Sequence, residues 1–226
     1  RGLWRVELPD AHAMNDVEAL HAQLAGLQLL LKDPAITSVR LVTQPEQMIV
    51  EETKRSYVYL NLFGYSVDRV FVNGVFPAEE VGDFFAAWVD RQARHLAEID
   101  ATFTHLPIVR IPRFPSDLSG LSDVERLARV GLGDEPFAVR DDLAHESYVR
   151  DGDDFVLRLP LPVTDFGAVR LSLSASDLVV RYGSAQRNIP LPATLHDFDV
   201  AGARGADGVL AVTFRRISDP TRKAHA

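Results

Sequence analysis

The chain has 226 residues, 46% apolar and 25% charged, a globular composition that excludes wholesale disorder and, at this length, amounts to about one and a half domains. Its formal charge of −8 and pI near 5.3 argue against a nucleic-acid partner, which calls for a concentrated basic surface. It has no cysteine, which removes disulfides, thiolate zinc sites and thiolate catalysis together.

The opening residues, RGLWRVELPD, carry charge and no apolar core, so they are no secretory signal, and no run approaches the roughly 18–20 apolar residues of a membrane span. A cytoplasmic protein is expected. There is no initiator methionine, and further sequence upstream is expected.

Residues 1–135 read as alternating helix and strand. Asn15 with Glu18 three residues on resembles a helix start, and Val17, Leu20, Leu24, Leu27 and Leu31 recur at helical spacing until Asp33-Pro34. SVRLVT (38–43) is short, β-branched and apolar, as a buried strand should be. Pro45 suits the first turn of a helix to Gly64, with Ile49, Tyr57, Leu60 and Phe63 on one face. VDRVFVN (67–73) is a second strand. A long helix opens at Glu79 with the stripe Val81, Phe84, Phe85, Trp88, Leu96, Ile99 and Phe103. PIVRI (107–111) is a third strand, and residues 122–130 form a last short helix. This order is that of a parallel sheet, yet such sheets usually hold about five or six strands, so the half reads as incomplete.

A linker rich in Gly, Pro and acid is placed at 136–150. From 151 the period changes to two. Six segments (155–162, 169–174, 177–182, 187–192, 198–204 and 208–216) alternate apolar and polar between turns such as Asp-Gly at 151–152 and 207–208. They read as an all-β sandwich over 151–217, followed by a frayed tail at 218–226.

Chemistry is sparse. The seven histidines show no HxxxH or HExxH spacing, Glu51-Glu52 and Glu79-Glu80 are neighbours that do not share a helix face, and neither G-x-S-x-G nor G-x-x-x-x-G-K-[ST] occurs. One position stands out. Asn73 ends the strand of VFVNGVFP, where open α/β sheets bind ligands. Its amide pairs a donor with an acceptor, the complement of the N6–H and N7 edge of adenine. The loop after the next strand, IPRFPSDLSGL (111–121), is placed to wrap a base. Asn is also a favoured turn residue, and from spacing alone both readings stand.

Residues 36–75, with Pro-Glu-x-Met (45–48) entering a helix and a strand ending in Asn73, resemble the C-terminal half of the ArsA-type ATPases, a branch of the P-loop NTPases that transports anions and targets tail-anchored proteins. So do Leu-Pro-x-x-x-x-Pro (106–112) and Gly120-Leu121. The resemblance covers about 15–135. It implies a parallel-sheet P-loop NTPase fold, ATP with magnesium as ligands, adenine recognition by Asn73, and a loop of Pro112, Arg113, Phe114, Pro115, Ser116 and Asp117 packed on the base. The family's phosphate loop, magnesium residues and switch lie N-terminal to this region, and none occurs here. A homodimer, or a partner supplying the missing half, is therefore expected.

The second half resembles the α-crystallin domain of small heat-shock proteins, on RNIPLP (187–192) and DGVLAVTF (207–214), without a C-terminal Ile-x-Ile. Two functions follow: the adenine-side portion of an ATPase with a sandwich interaction module, or a non-enzymatic chaperone-like protein with a degenerate nucleotide domain.

Overall fold

The computed structural model describes residues 11–77, 82–132, 145–174 and 176–217. In the first half, β1 (Val39–Thr43), β2 (Val67–Val75) and β3 (Ile108–Pro112) form a parallel sheet in the order β1-β2-β3, joined by α2 (Gln47–Leu62) and α3 (Ala86–Thr102). Val50 and Tyr57 of α2, Ile99 of α3 and Phe103 pack against Leu41, Val70 and Val72, so both crossovers share one face. The Tyr57 and Phe103 rings meet edge to face at 5.2 Å. Thr53 satisfies its buried hydroxyl on Thr43 Oγ1 and the Ile49 carbonyl. On the opposite face lies α4 (Leu121–Gly131), whose Gly131 sits over Ile111 and Phe71. Because Leu41 and Thr43 point at α2, Val42 points away, and it is 65% exposed.

The second half is a sandwich. One sheet is β4 (Ser147–Asp151), β5 (Asp154–Pro160), β10 (Val209–Arg216) and β9 (Phe198–Ala206), in that order; the other is β6 (Arg170–Ser174), β7 (Asp177–Tyr182) and β8 (Ala185–Pro190). Leu157, Leu159, Leu178, Val180, Leu210, Val212 and Phe214 fill the space between them. Asp207 (φ 50°) and Gly208 (φ 73°) are both left-handed, as a two-residue hairpin needs to match strand twist, and they pair Ala206 with Val209.

The elements depart from the expectations in several places, among them a sandwich of seven strands among the described residues where six segments are expected and a β2 that runs past Asn73 to Val75. A helix, α1 (Ala11–Lys32), runs through Asn15, which does not start it; Ala11, Ala13 and Met14 are good helix formers. Its stripe of Val17, Leu20, Leu24 and Leu27 is exposed among the described residues. The Phe84–Trp88 end of the α3 stripe also points outward, and the expected start at Glu79 and Val81 lies outside the described residues. Of the expected linker, 147–150 belongs to β4 and pairs with β5; 133–144 lies outside the described residues, as does the expected tail at 218–226.

Helix α2 buries two faces. Val50, Thr53 and Tyr57 face the parallel sheet, while Val58 and Leu62 belong to the sandwich core. Tyr59 Oη meets Ser184 Oγ at 3.0 Å. The expected stripe therefore divides, with Tyr57 and Leu60 on the sheet side and Phe63 on the sandwich side. Gly64 (φ 83°) ends the helix, its N–H donating to Asn61 O and that of Tyr65 to Leu60 O, a pairing that requires a left-handed residue.

Candidate functional site

The carboxyl ends of the three parallel strands open into a cleft of about 390 Å³. The turn from β1 into α2 supplies Pro45 and Met48, and the end of β2 supplies Asn73, Gly74 and Phe76. Helix α3 presents Trp88, Arg91, Gln92 and His95, and Arg113 enters just past β3.

Asn73 is exposed, and its side chain makes no hydrogen bond to the described residues, which leaves its amide donor and acceptor open to the cleft. Gly74 follows at φ 71°, within the irregularity between Val72 and Val75 in the pairing of β2 with β3, so the strand kinks just beyond Asn73 and runs on to Val75. The next turn is clamped. Gln92, 7% exposed, accepts from Phe76 N–H at 2.8 Å and donates to Phe76 O at 3.0 Å, as a neighbouring strand would. Arg113 N–H donates to Val75 O at 2.8 Å, and its guanidinium lies 5.2 Å from the Phe76 ring centre. Arg91 covers Trp88 at 5.3 Å. The rim is apolar and open, with Met48 and Phe84 each 85% exposed.

Behind the cleft, His95 Nδ1 approaches Glu98 at 3.6 Å, and Glu98 in turn pairs with Lys54. The Lys54 hydrogen bond holds the Glu98 carboxyl below its ordinary value, against the opposing effect of burial. Burial works to lower the Lys54 pKa, but the hydrogen bonds to Glu98 and Glu51 outweigh it and the net direction is up.

Of the residues the sequence singled out, the structure brings Asn73 and Arg113 together in the cleft. Pro112 is the last residue of β3 and pairs with Val75. Phe114 lies beneath the Arg126 guanidinium of α4, 4.5 Å from its ring centre, while Pro115, Ser116 and Asp117 are exposed and do not line the cleft. Sequence reasoning missed Phe76, Trp88, Arg91, Gln92 and His95. Trp88 was visible only as part of a stripe that reads as core. No group of three or more His, Asp or Glu able to hold a metal occurs among the described residues, and no described helix is long and apolar enough to cross a membrane.

The anion-transporting ATPase family model matches residues 2–131, and the model of an HSP20-like domain found in ArsA matches 152–214. The chain belongs to the ArsA-type ATPase family and carries its HSP20-like domain. It is 30% identical over 205 residues to a putative arsenical pump-driving ATPase of Aquifex aeolicus, covering 88% of this chain and 52% of that protein. It is 28% identical over 208 residues to a putative arsenical pump-driving ATPase of Chlorobaculum tepidum, covering 92% and 51%. The chain thus spans about half the length of these relatives.

Proposed function

We propose that these residues form the adenine-side portion of an ATP-binding, ATP-hydrolysing protein, with the sandwich as an interaction module docked on α2. The observation that carries this reading is the open Asn73 amide in a cleft at the carboxyl ends of three parallel strands, which Arg113 also lines. That is where open α/β sheets bind nucleotides, and a side-chain amide matches the adenine edge.

The residues present fit a base, and no lysine phosphate loop accompanies them in this sequence. The cleft offers the open amide of Asn73 among four amide side chains, two aromatic rings and two guanidinium groups, while the 226 residues contain no Gly-Lys dipeptide, which such a loop requires. ATP chemistry rests on positioning and on electrostatic stabilisation of the phosphates by lysine and magnesium, which other sequence or a second chain would supply. What this chain contributes is to bind and orient the base. Asn73 reads its edge, Gln92 fixes the turn behind Asn73, and Arg113 borders the cleft on the Phe76 ring. The exposed Val42 face of a three-stranded sheet supports a role as part of a larger nucleotide domain, since parallel sheets are normally covered on both faces. A dimer and a cytoplasmic site of action belong to the same proposal.

Tryptophan fluorescence tests the reading, because Trp88 lines the cleft. ATP titrated into a protein uniting this chain with the family's phosphate loop should change Trp88 emission saturably, and Trp88→Phe should abolish the change. Nucleotide binding with no response from Trp88 would place the base elsewhere.

A further inference from the structure

A second cavity, of about 250 Å³, lies at the seam of the two domains and shares no lining residue with the nucleotide cleft. Lys32, the last residue of α1, and Tyr65 wall it from the α/β side. His145 and Glu146, just before β4, and Arg187 of β8 wall it from the sandwich side.

Its charges do not balance. The Lys32 ammonium sits 5.8 Å from the centre of the Tyr65 ring and has no hydrogen bond or ion pair with any described residue. Arg187 has five donors, of which one reaches Leu62 O at 2.8 Å and another Glu146 Oε2 at 2.5 Å. The carboxylate of the cavity, Glu146, is thus engaged directly by Arg187, and half-buried Lys32 feels it only at longer range, without an ion pair to a described residue. His145 adds a ring N–H donor. Withdrawing a cation from water without a partner is unfavourable. Burial, and then the charge of Arg187, lower the Lys32 pKa, and the opposing charge of Glu146 offsets them only in part.

We propose that this seam cavity is a binding site for a small oxyanion, with Lys32 as its principal ligand and the spare donors of Arg187 and His145 beside it. The ligand would touch one cation from each domain and so fasten the sandwich to the α/β half. The proposal does not depend on the nucleotide reading.

Calorimetric titration of the whole chain with inorganic phosphate and, separately, with malonate tests it and distinguishes a phosphate from a dicarboxylate source. Saturable binding of at least one is expected, together with an anion-dependent rise in Tm. In Lys32→Met that binding should weaken about tenfold or more, the usual effect of losing a hydrogen bond to a charged group. Lys32→Arg should retain it. Arg113→Met, which changes the nucleotide cleft, should leave it intact. No saturable binding in the folded protein, equal binding in Lys32→Met, or loss in Arg113→Met would overturn the proposal. Lys32→Gln, with the same expected loss, serves if the methionine variant fails to fold. A carboxylate of the protein itself filling the cavity would show as a lower Tm in Lys32→Met with no anion binding in either protein, and that result also overturns it.

Discussion

The guanidinium of Arg187, in the sandwich, donates to the carbonyl of Leu62, the last residue of α2, at 2.8 Å. The final carbonyls of a helix lack partners within it, and a cation there also complements the helix dipole. The capped residue is itself buried in the sandwich core. At the other end of the same helix, about 24 Å away, Pro45 and Met48 line the cleft. One 16-residue helix thus carries both the candidate site and the docking of the second domain.

Arg187→Met should therefore destabilise the protein by about 1–3 kcal/mol, because it strands a helix-end carbonyl and leaves Glu146 unpaired. Arg187→Lys should restore only part of this, since an ammonium lacks the planar fork that reaches both acceptors. Urea unfolding of the three proteins measures the difference.

Leu62→Ala should cost about 2–5 kcal/mol, the usual range for a fully buried leucine. Because Leu62 joins α2 to the sandwich, the loss should appear in both halves. Hydrogen exchange of amides in β7 and in β2 should accelerate together. Acceleration confined to the α/β half would show that the sandwich stands independently.

Gly205 faces Phe166, and a Cβ at that position would lie 1.9 Å from Phe166 Cγ. The ring would have to move, so Gly205→Ala should cost about 1–3 kcal/mol. Adding Phe166→Ala should remove most of that particular penalty, which makes the pair non-additive in a double-mutant cycle of unfolding free energies.

The Lys54–Glu98 pair gives a pH dependence with a definite sign. The Glu98 carboxyl titrates below its ordinary 4.5 in the folded protein, so its contribution is present above 4.5 and is lost as pH falls through the lowered value. Lys54 titrates above its ordinary 10.5, so its contribution is present below 10.5 and is lost as pH rises through the raised value. The stability gap between wild type and Lys54→Met should therefore be widest between those limits and close at either end. Thermal unfolding across that pH range follows it.

The order of elements was legible because each follows its own period: SVRLVT and VDRVFVN are short segments rich in valine, and the Asp207-Gly208 turn announces its hairpin. Burial was less legible. Val58 and Leu62 sit off the expected stripe of α2 because the helix is covered on two sides, and periodicity assumes one. The same assumption placed Phe84 and Trp88 in a core, whereas both are exposed and Trp88 lines the cleft. Asn73 could be found because its signal is local, a polar residue near the end of an apolar strand, although β2 runs two residues further, to Val75. Gln92 could not, since a buried glutamine shows its purpose only when folding sets it against the Phe76 backbone sixteen residues away. The loop through Pro115, Ser116 and Asp117 was assigned by resemblance, and proximity in sequence did not carry it to the cleft.

The central claim is that Asn73 reads adenine. In a protein that unites this chain with the family's phosphate loop, Asn73→Ala should remove the proposed bidentate amide contact, a kind of contact worth about 1–3 kcal/mol of base discrimination or roughly 5- to 150-fold. Calorimetric titration with ATP and with GTP, for wild type and mutant, is the most direct measurement. The account predicts that ATP affinity falls by that factor and that the preference for ATP over GTP disappears, with little change in Tm because the side chain is exposed. Unchanged ATP affinity and unchanged base preference in a folded mutant would contradict it.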